Sequence, residues 1–204
     1  MLFYPRQTDN GLLVHDDQLV GAREHLAKNK RMWFLSGQIT EDVDGIYTGL
    51  FALDSQSHEP IKLVVTSPGG DLDAAFLLYD TIRLIQSPVH TYGRYCASAA
   101  CLLLACGKKR YISPHGKVML HLNFMRASGD SREWDIMSRE MQKYRDGMVE
   151  MLIECGAKKS PEEILKDIDR DFWLEPQEAI EYGLVDEIMT PKVIEEWLGG
   201  TKEG

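Results

Sequence analysis

Two residue types that cooperate in nucleophilic catalysis stand in suitable surroundings in this chain. Ser98 lies in a run of small residues, Cys96-Ala97-Ser98-Ala99-Ala100, which leaves room for a substrate to approach. His121 ends the apolar run Val118-Met119-Leu120, and an imidazole with its ordinary pKa of about 6.5 suits proton transfer at neutral pH. Because a serine activated by a histidine attacks acyl groups, these residues predict an acyl-transfer site.

Each of these residues also has a simpler interpretation. Ser98 opens a predicted helix, where serine is favoured as an N-cap. A histidine at the end of a buried strand can be a satisfied core residue. The carboxylates of Asp167, Asp169 and Asp171 offer a group to orient an imidazole, but spacing does not choose among them. Such a cluster is also typical of a solvated surface, so the alternatives stay open at the level of single residues.

A glycine pair provides a second element of the same chemistry. Ser67-Pro68-Gly69-Gly70 separates a β-rich run from a predicted helix, and glycines allow backbone N–H groups to turn toward a ligand. The N–H groups of Gly70 and Ala99 are candidates for an oxyanion hole beside Ser98. An ordinary strand-to-helix turn is the alternative interpretation.

Hydrophobic periodicity predicts the elements that position these residues. Strands alternate with helices, and this pattern favours an α/β fold with a largely parallel sheet. The predicted strands are 32–35, 61–66, 89–92, 110–112, 117–122 and 184–188, and the predicted helices are 22–28, 42–53, 72–82, 98–106, one that begins near 131, 161–167, 176–182 and 191–198.

The long helix carries apolar residues at steps of three and four. This heptad-like seam packs either on its own domain or against a partner subunit. The seam consists of Trp134, Met137, Met141, Tyr144, Met148, Met151 and Cys155.

Composition limits the class of protein. The 204 residues predict one domain. The formal net charge of −9 argues against a nucleic-acid partner. The longest nearly uncharged stretch, 95–107, is too short for a membrane span, and the N-terminus lacks the pattern of a secretory signal. Four cysteines without metal-ligand spacing indicate buried reduced thiols, and we expect a cytoplasmic enzyme.

Five blocks of sequence, in the same order and with similar spacing, resemble the ClpP family of self-compartmentalised serine peptidases. The resemblance runs from Met32 to Met189, about three quarters of the chain. The blocks are FLSGQI at 34–39, SPGG at 67–70 with YDTI at 79–82, ASAACLLLACG at 97–107, VMLH at 118–121 and RDFWLEPQEAIEYGLVDEI at 170–188.

The resemblance implies roles for individual residues. It makes Ser98 the nucleophile, His121 the general base and Asp171 the residue that orients the imidazole. It makes Gly70 and Ala99 the oxyanion donors and Arg170 the residue that couples subunit contact to alignment of the triad. No metal or organic cofactor is implied.

The resemblance also implies an architecture. Repeated strand-strand-helix units, as in the ClpP and crotonase folds, form a head, and a handle helix at about 131–155 protrudes from it. Residues 1–30 form an N-terminal arm and axial gate, and residues 31–204 form one peptidase domain. Two stacked heptameric rings, a tetradecamer, enclose a chamber in which unfolded polypeptides delivered by an AAA+ unfoldase are hydrolysed.

Three alternatives accompany this interpretation. A non-catalytic ring subunit would keep the fold without the chemistry, but the three catalytic residue types are all present. A crotonase acting on acyl-CoA leaves the serine and histidine matches unexplained. A virus-encoded capsid-maturation peptidase of the same fold is suggested by two departures from the family: the N-terminal arm is hard to align, and Leu122-Asn123 stands where a Gln-Pro pair often follows the histidine.

Overall fold

The computed structural model describes residues 16–122 and 131–199. Helices and strands alternate along the described chain as the periodicity predicts. In order, the elements are α1 Asp16–Lys30, β1 Met32–Ser36, α2 Asp44–Gln56, β2 Ile61–Ser67, α3 Leu72–Leu84, β3 Val89–Ala97, α4 Ala99–Ala105, β4 Lys109–Leu120, α5 Ser131–Glu154, α6 Pro161–Asp167, β5 Phe172–Leu174, α7 Pro176–Tyr182, β6 Glu187–Ile188 and α8 Pro191–Trp197.

One sheet with the order β1-β2-β3-β4-β5 organises the fold, and β6 also pairs with β4. The pairs among β1, β2, β3 and β4 are parallel, whereas β5 runs antiparallel to β4. The predicted α/β class with a largely parallel sheet is therefore confirmed. Because parallel strands end at the same edge, the residues that follow β2, β3 and β4 are brought together there.

The main core lies on one face of the sheet. There β2 presents Ile61, Leu63 and Val65, and α4 is buried along its whole length between the sheet and the outer helices. A smaller cluster covers part of the other face, where α1 and α8 pack around Met32 and Trp197.

Four predicted boundaries were wrong. The strands at 110–112 and 117–122 form the single strand β4, because residues 113–116 stay extended and only the register against β3 shifts. Strand β3 continues through Gly93 to Ala97, and the last strand is only Glu187–Ile188. Helix α1 begins at Asp16 rather than Ala22 and continues through Gly21, because a single glycine lowers helix propensity without ending a helix.

The remaining predicted elements lie close to their predicted bounds. The short strand β5 had not been predicted. Residues 1–15, and the divergent segment from 123 to 130, lie outside the described residues. No helix within 16–122 or 131–199 is long and apolar enough to cross a membrane.

Candidate active site

Ser98 occupies the junction between β3 and α4. Its backbone has φ of 56° and ψ of −130°, a conformation that residues other than glycine rarely adopt. Its N–H donates to the carbonyl of Met119 on the neighbouring strand at 2.8 Å. The Ser98 side chain makes no capping hydrogen bond. Ser98 therefore occupies the N-cap position of α4, but its hydroxyl does not act as a cap.

The turn after β2 packs directly against this junction. The hydroxyl of buried Ser67 accepts a hydrogen bond from the N–H of Gly69 at 3.0 Å. A Cβ on Gly69 would lie 2.7 Å from the Cβ of Ser98 and 2.6 Å from the carbonyl oxygen of Ala97. Glycine at position 69 is therefore required by close approach to the candidate nucleophile as well as by its φ of 89°.

Gly70 contacts the loop after β1, whereas Gly69 contacts Ser98. It forms an isolated parallel bridge with Ile39, and a Cβ on Gly70 would lie 2.0 Å from the carbonyl oxygen of Ile39. The same carbonyl accepts a hydrogen bond from the N–H of Asp71 at 2.9 Å, and Asp71 then caps α3 through Ala74. Sequence analysis included Ser67 and Ile39 in its motifs but did not predict that they hold Gly69 and Gly70.

The other predicted oxyanion donor, Ala99, is the first residue of α4 and is 1% exposed. The first N–H groups of a helix have no partner within the helix. The Ala99 N–H group therefore has no partner within α4, and it directly follows Ser98 in the chain.

His121 follows directly after β4, at the edge where Ser98 lies. Val118 and Leu120 point into the main core, so strand alternation places Met119 and His121 on the other face. The Nδ1 atom of His121 lies 3.6 Å from Oδ1 of Asp171. This distance allows an ion pair but is longer than a hydrogen bond of about 2.7–3.2 Å.

The position of Asp171 follows from the register of β4 and β5. Leu120 pairs with Phe172, so the next pair in the antiparallel register is His121 with Asp171. The N–H of Leu122 donates to the carbonyl of Ile168 at 2.8 Å and holds the two segments together beyond that pair.

The register distinguishes among the three acidic residues that spacing left equivalent. Asp167 accepts a hydrogen bond from the hydroxyl of Tyr182 at 3.1 Å. Asp169 is exposed in the turn after α6. Of these three acidic residues, all of which the structure describes, Asp171 is the one that forms an ion pair with His121. Its side chain is 58% exposed, against 18% for His121.

An aromatic pair lies beside these residues and was not anticipated. The rings of Tyr95 and Trp173 have centroids 6.0 Å apart. The two residues belong to β3 and β5, so their side chains meet across the intervening β4. Met119 of β4 pairs in register with Trp173 and is 8% exposed. The partly exposed rings thus form an apolar surface adjoining His121 and Asp171.

The cysteines nearest the site are poor nucleophiles. Cys96, Cys101 and Cys106 are buried and free, as predicted, whereas Cys155 is free but only partly buried. Burial raises the pKa of Cys101 to about 12, and its thiol contacts the carbonyls of Cys96 and Met119 at 3.0 Å. A protonated thiol in this environment supports packing rather than attack.

Ser98, His121 and Asp171 thus lie around one edge of a parallel sheet, with a glycine turn against the serine. A serine, a histidine and a carboxylate at one edge of such an α/β fold are the residue types that a serine hydrolase uses.

Comparisons with known proteins identify the family. The family model described as Clp protease matches residues 16–192. The chain is 39% identical over 170 residues to ATP-dependent Clp protease proteolytic subunit 1 of Rhodopirellula baltica, covering 80% of this chain and 74% of that protein. It is 35% identical to proteolytic subunit 2 of Treponema pallidum, with 78% and 82% covered. It is also 34% identical to the chloroplastic proteolytic subunit 4 of Arabidopsis thaliana, with 80% and 58% covered.

The chain therefore belongs to the Clp protease family. It is a serine endopeptidase of the ClpP type. Each of these relatives is, by name, a proteolytic subunit of an ATP-dependent protease.

Proposed function

We propose that this chain hydrolyses peptide bonds with Ser98 as nucleophile, His121 as general base and Asp171 as the residue that orients the imidazole. The hydroxyl of Ser98 attacks the scissile carbonyl while His121 accepts its proton and then delivers it to the leaving amine. Water hydrolyses the acyl-enzyme in a second step by the same proton transfers. The observation that carries this proposal is the sheet register that brings His121 and Asp171 into one pair at the edge where Ser98 lies.

The N–H groups of Gly70 and Ala99 act as the donors that stabilise the tetrahedral oxyanion. Support comes from the strained conformation of Ser98, which lies between the end of β3 and the first residue of α4. Support also comes from the contact of Gly69 with Ser98, since this contact fixes the glycine turn against the nucleophile.

The protein acts as a homo-oligomer of two stacked heptameric rings, in the cytoplasm, on unfolded polypeptides supplied by an AAA+ unfoldase. Helix α5 serves as the handle between rings. Its C-terminal half buries Met148 and Leu152 in the core, whereas Trp134 and Ile136 near its start are 52% and 55% exposed. Exposed large apolar side chains of this kind are typical of an interaction surface. Residues 1–30 form the axial arm, and residues 31–204 form the peptidase domain.

Assembly completes the alignment of the site through Arg170. This residue is exposed and directly precedes Asp171. In the single chain the His121–Asp171 separation of 3.6 Å exceeds hydrogen-bonding distance, and a contact of Arg170 with a neighbouring subunit would act on Asp171 through one peptide unit. Arg170→Ala is expected to lower both the assembled fraction and the activity.

Hydrolysis of a short fluorogenic peptide and of an unfolded polypeptide by the assembled protein tests the proposed function. His121→Ala is expected to abolish both activities, because the proposed general base is then missing. His115→Ala is the matched control, since His115 lies on the same strand but is exposed and away from the edge. Equal activity of the His121→Ala variant and the wild type would exclude the proposed mechanism.

A further inference from the structure

Gly70, one of the two proposed oxyanion donors, lies in a segment with great conformational freedom. It follows another glycine and has φ of 150°, and glycine populates many backbone conformations about equally. Gly70 has no side chain to hold it, so the direction of its N–H depends on the elements at either side. Because an oxyanion donor acts best when it is fixed in place before the reaction, the anchors of this turn bear on its function.

The first anchor is the loop after β1. The N–H of Ile39 donates to the carbonyl of Gly69 at 2.9 Å, and the N–H of Asp71 donates to the carbonyl of Ile39 at 2.9 Å. These two hydrogen bonds flank Gly70, so the bridge does not use the N–H of Gly70 itself. The loop therefore restrains Gly70 and leaves its donor available.

The second anchor is helix α3, which begins at Leu72. Asp71 is its N-cap, and the Asp71 carboxylate accepts a hydrogen bond from the N–H of Ala74 at 2.8 Å. Asp73 stands in the first turn, where a negative charge is favourable beside the positive end of the helix dipole. Because Asp71 is joined to Gly70 by a peptide bond, a shift of this first turn also moves the donor.

A side chain of the long helix α5 holds the first turn of α3. The hydroxyl of Tyr144 donates a hydrogen bond to the carboxylate of Asp73, and the Tyr144 ring lies 5.7 Å from that of Phe76, measured between centroids. The hydrogen bond to Asp73, partial burial and the charges of Asp73 and Asp71 raise the pKa of Tyr144. The hydroxyl is therefore protonated at neutral pH and acts as a donor that connects α5 to α3.

A second hydrogen bond of the same kind joins the same two helices. The hydroxyl of Tyr79 in α3 donates to a carboxylate oxygen of Glu154 in α5 at 2.9 Å. Tyr79 is 4% exposed and lies about 9 Å further along α3 than Asp73. The two tyrosine–carboxylate bonds therefore attach α3 to α5 at different distances from the oxyanion turn.

We propose that Tyr144 and Asp73 are positioning residues, whose hydrogen bond holds the first turn of α3 against α5 and so fixes the direction of the Gly70 N–H. This role rests on the proposed function of Gly70 as an oxyanion donor. The oxyanion forms only in the transition state, so a loosened donor lowers kcat and leaves KM almost unchanged. Loss of a whole donor lowers kcat by about 10²- to 10³-fold, and loss of an anchor has a smaller effect because the donor is still present.

Kinetics of the assembled protein with a fluorogenic peptide test this role. Tyr144→Phe is expected to lower kcat about 5-fold or more and to change KM less than about 2-fold. A peptide boronate forms a tetrahedral adduct with the serine, and its affinity should fall by a similar factor. Tyr79→Phe is the matched control. It removes the more deeply buried hydrogen bond, so it should lower the melting temperature at least as much while kcat stays within about 2-fold.

Substitution of the acceptor gives a second comparison. Asp73→Ala should reproduce the kinetics of Tyr144→Phe, whereas Asp73→Asn, whose amide oxygen is still an acceptor, should retain at least about half of the wild-type kcat. The double variant of Tyr144→Phe and Asp73→Ala should be no slower than either single variant, because both remove the same interaction.

Three outcomes would overturn this role. Wild-type kcat per assembled subunit in Tyr144→Phe, with Ser98 still reactive toward a fluorophosphonate, would remove the positioning role and leave the proposed function intact. An equal loss of kcat in Tyr144→Phe and Tyr79→Phe would show that attachment of the two helices matters, rather than the bond nearest Gly70. Hydrolysis that persists in Ser98→Ala would overturn the proposed function together with this role.

Discussion

Helix α4 and the residue before it, Ser98, are adjacent in sequence but differ in burial and in backbone conformation. Every residue of α4 is at most 1% exposed, and the helix packs in the centre of the main core. Ser98 is partly exposed, has φ of 56° and uses no side-chain hydrogen bond to cap the helix. The comparison shows that packing of α4 supplies the stability that holds an unfavourable backbone at Ser98. The proposed mechanism therefore assigns activity and stability to different, neighbouring residues.

Removing the nucleophile is expected to have the largest effect. Ser98→Ala should lower kcat by at least about 10⁴-fold and change the free energy of unfolding by less than about 1 kcal/mol, because no capping hydrogen bond is lost. Peptide hydrolysis and urea unfolding of the same preparation measure the two quantities. Activity within tenfold of the wild type would contradict the role of Ser98.

The next effect concerns the orienting carboxylate. Asp171→Asn should lower kcat by up to about 10⁴-fold, since an amide favours the wrong tautomer of His121. Asp169→Asn is the control, because Asp169 is an exposed carboxylate two residues earlier. Similar kinetics for the two variants would show that Asp171 has no special role.

Substitutions in α4 should lower stability but not kcat, the opposite of those at Ser98. Leu103 is 0% exposed, so Leu103→Ala is expected to destabilise the protein by about 2–5 kcal/mol while leaving kcat per folded molecule within about 3-fold. Leu84→Ala changes the same residue type at a site that is 77% exposed and should cost less than about 0.5 kcal/mol. A selective loss of kcat in Leu103→Ala would remove the distinction between the two regions.

Gly69 joins the two regions, so its substitution should affect both properties. Gly69→Ala introduces a Cβ 2.7 Å from that of Ser98 at a φ of 89°. We expect a loss of stability of about 1–3 kcal/mol and a reduced kcat. Gly45→Ala is the control, because a Cβ there meets nothing within 4 Å. Wild-type kcat in Gly69→Ala would show that the glycine turn does not position the serine.

The smallest expected effect lies at the other end of the sheet and depends on pH. Partial burial of Asp54 would raise its pKa, but hydrogen bonds from the side chain and N–H of Ser87 and from the N–H of Gln86 lower it to about 2. The folded pKa lies below the unfolded value, so the stabilisation is present above about pH 4 and is lost as the pH falls toward 2. Asp54→Ala should cost about 1 kcal/mol at pH 6 and clearly less at pH 2 in urea titrations, because the carboxyl group of the folded protein is then about half protonated. A pH-independent difference would refute this account.

Much of the fold was predictable because its signals are local. The helix bounds at 161–167 and 176–182 match the structure, since each helix begins with a proline at its first turn and both have capping boxes. Strand β5 could not be predicted, because three residues carry no period and the strand depends on pairing with β4. The continuity of β4 through Ser113-Pro114-His115-Gly116 was missed because proline and glycine are typical of turns, whereas here the register against β3 shifts between Ile112 and Lys117 within one strand.

The candidate site was predictable in part. Residue types and small neighbours identified Ser98 and His121 as candidates. The choice of Asp171 over Asp167 and Asp169 rested on family resemblance at the level of sequence, and the β4–β5 register now gives a physical reason for it. The aromatic pair of Tyr95 and Trp173 had no sequence signal, since its two rings meet across an intervening strand.

The most direct test of an activated nucleophile is covalent labelling by a serine-reactive fluorophosphonate probe, followed by intact mass. The assembled wild type is expected to gain the mass of one probe per chain, and Ser98→Ala is expected to gain none. His121→Ala should be labelled at least about 100-fold more slowly, because the base is absent. Equal labelling of the wild type and Ser98→Ala, or no labelling of a folded and assembled wild type, would contradict the assignment of Ser98 as the nucleophile.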